Sequence, residues 1–272
     1  MTKIVVALIH NNNEERNARV RPNVEKLADQ LRKSFEVESL EFSYQPNLVP
    51  HTKVTAFLRD VLFEFLERRW QVYLERPSWS WFKTVRNLRK VASRYLNNPE
   101  DAARCCRSGA IDAFVTNKHL RSWEACMERG ADYLIVLEDD AVFHCDSIDR
   151  ITSALDKALY ARRPAYIDLA GGFSASTLQI EHLARERDDR FVQYRKMVTN
   201  TACAYLLNSN MIERSLSILL SRPYYRLITI DWLMNRLFMD LEDSGIHGLC
   251  FHTDPLALQH GSFTGDFSAW ER

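Results

Sequence analysis

Glycine and proline are scarce in this chain, and neither sign of charge is in excess. The 272 residues include 8 glycines and 8 prolines, which argues against a disordered or low-complexity protein. Basic and acidic side chains number 36 each, so the chain lacks the basic excess that nucleic-acid-binding domains usually carry. A hydrophobic fraction of 46% is sufficient for a sizeable core. We therefore expect one globular domain over residues 1–272.

Long apolar runs are absent as well. No segment reaches the roughly 18 consecutive apolar residues that a membrane-spanning helix needs. The apolar run near the N-terminus ends at Ile9 and leads into three asparagines, without the longer apolar core and the cleavage site of a signal peptide. These absences predict a cytoplasmic protein.

The six cysteines contain no Cys-x-x-Cys pair, a spacing typical of zinc and redox sites. Most of them lie within apolar patterns, so we interpret them as reduced thiols of the core rather than as zinc ligands or disulfide partners. They are Cys105, Cys106, Cys126, Cys145, Cys203 and Cys250.

Apolar periodicity predicts an α/β fold. A continuous apolar run at 3–9 is typical of a buried parallel strand, a helical pattern follows from Glu14, and a weaker strand covers 37–42. This β-α-β opening indicates an α/β sheet. A helix at 110–129, ended by Gly130, leads into a second strong strand at 133–137. Further expected elements are helices at 147–161 and 232–241, a helix capped by Ser209 and Asn210, and strands at 165–169, 201–207 and 248–252.

Three consecutive carboxylates, Glu138-Asp139-Asp140, follow directly after the strand at 133–137. Carboxylates at the end of a buried strand repel one another and resist desolvation, so a fold retains them where a cation lies among them. Oxygen ligands favour Mg²⁺ or Mn²⁺, and ligands of open α/β sheets bind beyond the carboxyl ends of strands. The alternative is an acidic turn that caps the next segment. We favour a metal site, where the cation neutralises the leaving group of a nucleotide diphosphate.

The sequence around the triplet carries a more specific pattern. Asn117-Lys118-His119, Trp123 and Gly130 precede the triplet in that order within residues 112–143. This segment resembles the core signature of glycosyltransferase family 25, which includes bacterial lipooligosaccharide galactosyltransferases and collagen-modifying enzymes. Further similarities to this family, or to a close sister family, are Glu15-Arg16, the segment 201–209, Ile230-Asp231, Pro255, Gln259 and Ser262.

The resemblance implies a fold, an activity and a cofactor. The fold is a GT-A-like, Rossmann-type mixed sheet flanked by helices, with a helical insertion. The activity is that of an inverting hexosyltransferase, which moves a sugar, most often galactose, from a UDP-sugar to a glycan acceptor such as bacterial lipooligosaccharide, O-antigen or capsule. The cofactor is Mn²⁺ or Mg²⁺. Such an enzyme acts in lipopolysaccharide biosynthesis.

The resemblance also implies roles for the residues of the metal site. Asp140 is the expected metal ligand, Glu138 is a second ligand, direct or through water, and Asp139 contacts the ribose or the sugar. His260 or His252 can complete the site, although a lone histidine is more often a structural or surface residue.

Inverting transfer needs a general base that takes a proton from the acceptor hydroxyl. Asp231 is the candidate, because it begins a helix after an apolar approach, and helix capping is an equal alternative. Four further residues are candidates for binding the phosphates or the base of the nucleotide, although Arg16 also fits a solvated helix position. They are His10, Arg16, Lys118 and His119.

Residues 50–105 form a predicted helical insertion, with helices at 54–75 and 79–96. Nine aromatic and nine basic residues are interleaved between positions 57 and 95. Because cationic amphipathic helices with Trp and Phe lie at bilayer interfaces, one interpretation is a peripheral contact of residues 54–96 with the inner face of the membrane or with an anionic glycolipid. The other, which we slightly favour, is a helical subdomain with aromatics packed on the core and arginines in solvent. Nucleic acid fits less well, since the net charge is zero.

Two other functions compete with sugar transfer. A metal-dependent phosphotransferase or phosphohydrolase also places carboxylates after strands, but the sequence has no Asp-x-Asp pair near the first strand and no glycine-rich phosphate loop. A non-catalytic nucleotide- or glycan-binding module is the third interpretation. The intact triplet argues against such a module, because binding alone rarely needs three clustered carboxylates.

Overall fold

The computed structural model describes residues 1–43, 52–76, 81–159 and 161–266. The strands within these residues are β1 (Lys3–Ile9), β2 (Glu36–Phe42), β3 (Tyr133–Glu138), β4 (Ala141–Phe143), β5 (Ala165–Asp168), β6 (Ala184–Arg187), β7 (Phe191–Tyr194), β8 (Ala204–Asn208), β9 (Leu249–Thr253) and β10 (Leu258–His260). The helices are α1 (Glu14–Arg32), α2 (Lys53–Tyr73), α3 (Trp81–Asn97), α4 (Pro99–Glu128), α5 (Ser147–Leu159), α6 (Ala175–Leu178), α7 (Ser209–Ser221), α8 (Ile230–Asp243) and α9 (Gly261–Thr264).

Eight of these strands form one mixed sheet in the order β2-β1-β3-β8-β5-β9-β7-β6. β1 pairs in parallel with β2 and β3, β8 runs antiparallel between β3 and β5, and β5 pairs in parallel with β9. β1, β3, β5 and β9 therefore point the same way, and their carboxyl ends meet at one edge of the sheet. The predicted α/β class, a mixed sheet flanked by helices with a helical insertion, is confirmed.

The neighbouring strands β1 and β3 are apolar at 4–9 and 133–137, and both of their faces are covered. Alternate residues of a strand point to opposite faces. Val5 and Val136 belong to a core that includes residues of α2, α4, α7 and α8. Ile4 and Ile135 belong to a second core, formed with residues of α1 and α5. A continuous apolar run is the sequence pattern that such a doubly buried strand requires.

The insertion consists of α2, α3 and the first part of α4. α4 is a single helix of 30 residues that begins at Pro99, where the Asn98 side chain accepts a hydrogen bond from the backbone N–H of Asp101. The predicted helix at 110–129 is thus too short at its start, and the predicted end of the insertion near 105 falls inside α4. The predicted stop at Gly130 is confirmed, since this residue has φ of 60°. Positions 50, 51 and 77–80 of the predicted insertion lie outside the described residues.

Other differences from the predicted elements concern strand edges and one helix cap. The strand predicted at 201–207 begins at Ala204, and the cap of α7 is Asn208, whose side chain accepts from the backbone N–H of Met211, rather than Ser209 and Asn210. β6 was not predicted because its four residues are all exposed and carry no apolar alternation. Among the described residues, none of the helices combines the length and the hydropathy of a membrane-spanning segment.

Candidate active site

The acidic triplet lies at the carboxyl edge of the sheet, beside the end of β1. Glu138 is the last residue of β3 and is in register with Ile9 of β1. On the other side, the backbone N–H of Glu138 donates to the carbonyl of Cys203 over 2.7 Å, just before β8 begins. The register of these strands therefore brings the triplet against two loops, the β1–α1 turn and the segment that leads into β8.

Asp139 is tied to the β1–α1 turn. Its carboxylate accepts hydrogen bonds from the backbone N–H of Asn11 at 3.0 Å and from Nη1 of Arg16 at 3.4 Å. Asn13 caps α1 by accepting from the backbone N–H of Arg16, which fixes the first turn of this helix. Burial raises the pKa of Asp139, and the N–H of Asn11 opposes this effect. In this arrangement Asp139 holds the turn in place.

Lys118 of α4 reaches the same turn. Its Nζ donates to the carbonyl of His10 over 2.9 Å and contacts Oδ1 of Asn11. Burial lowers the pKa of Lys118, and the neighbouring Glu138 and Asp139 oppose that shift. Burial also lowers the pKa of His10. Asp139, Arg16, Lys118 and His10, which were predicted from separate parts of the sequence, are therefore neighbours around one turn.

Glu138 is the end of a buried chain of hydrogen bonds. Its Oε1 lies 2.8 Å from Nε2 of His119, and Nδ1 of the same ring lies 2.9 Å from the hydroxyl of Tyr205. Nε1 of Trp123 donates to that hydroxyl over 3.0 Å. His119 is fully buried, which lowers its pKa to about 3 and keeps the ring neutral. The ring of His119 therefore contacts Glu138 and Tyr205 rather than the open cleft.

Asp140 faces residues from two other segments. β4 and β10 pair so that Ala141 lies opposite His260, and this pairing brings Nδ1 of His260 to 3.3 Å from Oδ2 of Asp140. The hydroxyl of Ser262 donates to the same oxygen over 2.9 Å. The thiol of Cys203 donates to Oδ1 over 3.4 Å. The two oxygens of Asp140 are thus held from both sides.

The residues around Asp140 fit a divalent cation. Asp140, Cys203 and His260 each offer one ligand atom, and these atoms lie within 4.8 Å of one another. Nδ1 of His260 lies 3.3 Å from Oδ2 of Asp140 but makes no hydrogen bond among the described residues, so the ring can offer this nitrogen to a cation when Nδ1 is deprotonated. Burial raises the pKa of the Cys203 thiol well above its usual value, so the carboxylate and the imidazole are the better donors. A thiol that was not predicted thus lies beside the oxygen ligands expected from the sequence.

A cleft of about 740 Å³ opens beside these groups. Glu138, His260 and Asp231 line it together. Other lining residues are Phe63, Asp112, Val115, Phe173, Thr201, Ala202, Cys203, Thr229, Ile230, Trp232, Ser262 and Phe263. The cleft therefore lies between the carboxyl edge of the sheet, the insertion, the start of α8 and the C-terminal segment.

Asp231 is the second residue of α8, and it does not cap this helix. The N-cap position is Thr229. The Asp231 carboxylate instead accepts a hydrogen bond from the backbone N–H of Ala202, while its buried Oδ1 has no partner among the described residues. Burial, and next the charge of Glu138, raise the pKa of Asp231 to about 7. This carboxylate is thus poised to accept a proton near neutral pH.

Two predicted histidine ligands differ in their positions. His260 lies at the metal candidate, whereas Nε2 of His252 lies 2.7 Å from the carbonyl of Val198 and is buried within the sheet. Only His260 lines the cleft. The pairing of β4 with β10 explains why His260 lies beside Asp140, and neither of these short strands was predicted.

Sequence reasoning missed Cys203 and Asp168. Asp168 ends β5, is fully buried, and accepts hydrogen bonds from the Tyr166 hydroxyl at 2.8 Å and from the backbone N–H of Asn200 at 3.0 Å. A carboxylate within a short apolar strand was the signal for Asp168. Cys203 had no such signal, because its contact with Asp140 depends on the antiparallel position of β8.

Gly172 lies beside Asn200 in the loop that follows β5, next to Phe173 of the cleft lining. Oδ1 of Asn200 accepts from the backbone N–H groups of Gly172 and Phe173, at 3.2 and 2.8 Å. A Cβ at position 172 would lie 2.7 Å from Cγ2 of Thr201 and 2.8 Å from Cε2 of Phe263. Any other residue at position 172 would therefore require the side chains of Thr201 and Phe263 to shift.

Comparisons with known proteins add little to this geometry. No protein-family model matches the chain, and no curated protein matches it in sequence. A glycosyltransferase involved in the glycosylation of the major capsid of PBCV-1 aligns with 9% identity over 81% of this chain and 68% of its own, at a TM-score of 0.31. Mannose-1-phosphate geranyltransferase from Thermus thermophilus aligns with 10% identity over 93% of this chain and 74% of its own, at a TM-score of 0.36.

Proposed function

We propose that this chain is a metal-dependent glycosyltransferase with a GT-A-like fold that uses a nucleotide-sugar donor. The observation that carries the proposal is the convergence of Glu138, Asp231 and His260 on one cleft, with Asp140 beside them. Several buried carboxylates in one place are costly without a cation. The resemblance of residues 112–143 to glycosyltransferase family 25 supports a UDP-sugar, with galactose as the first candidate, and a glycan acceptor.

The proposed cation is Mn²⁺ or Mg²⁺, held by Asp140 and His260 with Glu138 direct or through water. When bound, such a cation neutralises negative charge on the diphosphate leaving group. Ser262 keeps the Asp140 carboxylate in position, since its hydroxyl donates to Oδ2 over 2.9 Å. His119 keeps Glu138 in position from the buried side, over 2.8 Å. These contacts orient oxygen ligands before the donor arrives.

We propose that Asp231 is the general base of an inverting transfer. Its unpartnered Oδ1 supports this role, because a base needs a free lone pair that faces the acceptor hydroxyl. A pKa of about 7 supports it as well, since a base works best when its pKa lies near the working pH. The hydrogen bond from the N–H of Ala202 orients the carboxylate and leaves one oxygen for the proton.

The nucleotide is proposed to lie against the β1–α1 turn. Arg16 and Lys118 supply positive charge there, and His10 lies at the end of β1. Asp139 is proposed to reach the ribose or the sugar, although in the structure it accepts from Asn11 and Arg16. Donor binding then requires an exchange of these contacts. His119 is proposed to act through Glu138, because its ring is fully buried.

A product analysis tests the proposed reaction. The purified chain is incubated with UDP-galactose, UDP-glucose and their N-acetyl forms in the presence of Mn²⁺, with and without a lipooligosaccharide acceptor, and the released nucleotide is identified. We expect UDP as the product, and a loss of about 100-fold or more in the Asp140→Asn variant, because the cation ligand is removed. Asp189→Asn is the matched control, since that carboxylate is on the surface with 88% of its side chain exposed.

Other products contradict the proposal. Release of UMP or inorganic phosphate identifies a phosphohydrolase. A rate in the Asp140→Asn variant equal to that of the original chain contradicts the proposed role of Asp140 as a metal ligand.

A further inference from the structure

α3 presents one side to solvent along its whole length. Phe82, Arg86, Arg89, Lys90 and Ser93 are exposed and recur at helical spacing, so they form one stripe. The opposite side carries the buried residues Thr84, Val91 and Tyr95. The helix has 17 residues, which corresponds to a stripe about 25 Å long.

The exposed stripe is positive, and within the described parts of the chain no carboxylate pairs with its cations. α3 contains five basic residues and no carboxylate. Arg94 is neutralised by Asp60 of α2, with 3.2 Å between Nη1 and Oδ2. Arg86, Arg89 and Lys90 have no carboxylate within salt-bridge distance among the residues that the structure describes. A surface that keeps three unpaired cations side by side is complementary to a polyanion.

Apolar side chains are exposed next to these cations. Phe82 is 85% exposed and Trp81 is 53% exposed at the start of α3. The guanidinium of Arg68 on α2 lies 4.7 Å from the centre of the Trp81 ring, so the outer side of α2 adjoins this end of α3. That side of α2 carries four exposed apolar residues at helical spacing. They are Val54, Leu58, Phe65 and Val72.

We propose that the α2–α3 surface, defined by these exposed cations and apolar residues, binds the anionic headgroup face of a lipid bilayer. A helix with lysine, arginine and exposed aromatics is attracted by anionic lipids and inserts its apolar side chains at the headgroup boundary. The aliphatic side chains of α2 distinguish this partner from nucleic acid, because they fit hydrocarbon and do not stack on bases. The zero net charge of the chain also fits a local electrostatic contact rather than nucleic-acid binding.

The proposed bilayer contact lies across α2 from the cleft. Phe63, on the inner side of α2, lines the cleft and packs against Trp232 of α8, with ring centres 6.2 Å apart. α2 therefore has one side towards the cleft and another in the bilayer-binding surface. The proposal concerns binding alone, and it holds or fails independently of the sugar-transfer reaction.

Co-sedimentation of the full chain with vesicles tests the proposal. The vesicles are phosphatidylcholine, alone or with about 30% phosphatidylglycerol, at low and at raised salt. We expect binding to the anionic vesicles only, and weaker binding at raised salt. Each basic residue near an anionic surface contributes about fivefold to the partition coefficient, so the triple variant Arg86→Gln, Arg89→Gln, Lys90→Gln should bind about 100-fold more weakly. Phe82→Ser should weaken binding with no change in charge.

The matched control is Arg185→Gln, Arg187→Gln, Arg190→Gln, which removes the same charge from exposed arginines away from α3. This control variant should bind like the original chain. Circular dichroism confirms that each variant is folded. Equal binding to neutral vesicles, absence of binding to anionic vesicles, or an unchanged partition coefficient in the α3 triple variant overturns the proposal. Binding of single-stranded RNA but not of vesicles, lost in the same variant, also overturns it and assigns the surface to nucleic acid.

Discussion

His119 and Glu138 share a hydrogen bond of 2.8 Å between Nε2 and Oε1, at the point where the buried interior meets the cleft. The imidazole is fully buried and the carboxylate is partly open. Burial, and next the charge of Asp140, raise the pKa of Glu138 to about 8. The neutral ring of His119 thus orients Glu138 from the buried side, while burial and the charge of Asp140 favour the protonated form of its carboxyl group.

Removal of the Tyr205 hydroxyl tests the chain of hydrogen bonds behind Glu138. In Tyr205→Phe, Nδ1 of His119 and Nε1 of Trp123 lose their common partner within the core. We expect the free energy of unfolding to fall by about 1–3 kcal/mol, the usual cost of unsatisfied buried polar groups. Urea denaturation measures it, with Tyr224→Phe as the control because Tyr224 is 48% exposed. Equal stability of the two variants would mean that the hydrogen bonds of the Tyr205 hydroxyl contribute nothing to the free energy of unfolding.

Asp231→Asn tests the proposed general base. The substitution keeps the shape of the side chain and removes its ability to accept a proton. We expect kcat to fall by about 10²–10⁴-fold, while the Kd of the donor changes by less than about threefold. Steady-state kinetics and calorimetry measure the two effects, with Asp189→Asn as the control. An unchanged kcat contradicts the role of Asp231 as base.

Asp231→Asn should also change how the free energy of unfolding depends on pH. The pKa of Asp231 is raised to about 7 in the folded state, above the usual value of about 3.9 in an unfolded chain. The folded state therefore binds the proton more tightly, and the contribution of Asp231 to stability falls as pH rises from about 4 to about 7. Asp231→Asn removes this dependence.

We expect Asp231→Asn to gain on the order of 1–3 kcal/mol relative to the original chain between pH 4 and pH 8, with most of the gain below pH 7. Urea denaturation in EDTA at a series of pH values measures the difference. A difference that is constant over this range contradicts the raised pKa.

Cys203→Ser tests whether the thiol is a metal ligand. Because burial raises the pKa of Cys203, we expect a protonated thiol that donates to Asp140, and serine keeps such a donor. The affinity for Mn²⁺ should then change by less than about threefold. Titration of Mn²⁺, followed by electron paramagnetic resonance, measures it, with the exposed Cys145→Ser as the control.

The opposite outcome for Cys203→Ser contradicts the expectation of a protonated thiol. A loss of more than about tenfold in Mn²⁺ affinity, together with release of a proton when the metal binds to the original chain, would show that Cys203 binds the metal as a thiolate.

The position of the acidic triplet at the carboxyl edge of the sheet could be predicted from the sequence. The residues from other segments that contact the triplet there could not. Glu138 could be placed because a doubly buried strand is recognisable as an apolar run and its end is marked by charge. The neighbours of Asp140 could not, because Cys203 and His260 reach it through an antiparallel strand and a three-residue strand. Pairing of that kind is set by the whole fold and leaves no local pattern.

The helices show the same division between local and non-local information. The C-terminal end of α4 at Gly130 was predictable because left-handed backbone favours glycine. Its beginning at Pro99 was not, since the apolar pattern weakens where α4 leaves the main core and packs against α2 and α3. The alternative role of Asp231 as a helix cap was likewise open until the cap of α8 was seen at Thr229.

Calorimetric titration of the intact chain with UDP-galactose, UDP-glucose and their N-acetyl forms, each in Mn²⁺ and in EDTA, tests the central claim most directly. We predict that one donor binds in Mn²⁺ and that EDTA abolishes its binding, because Asp140 and His260 are the proposed ligands of a cation that would neutralise the diphosphate. Absence of binding for every donor in Mn²⁺, or binding that is equally tight in EDTA, would contradict a metal-dependent transferase that uses a UDP-sugar.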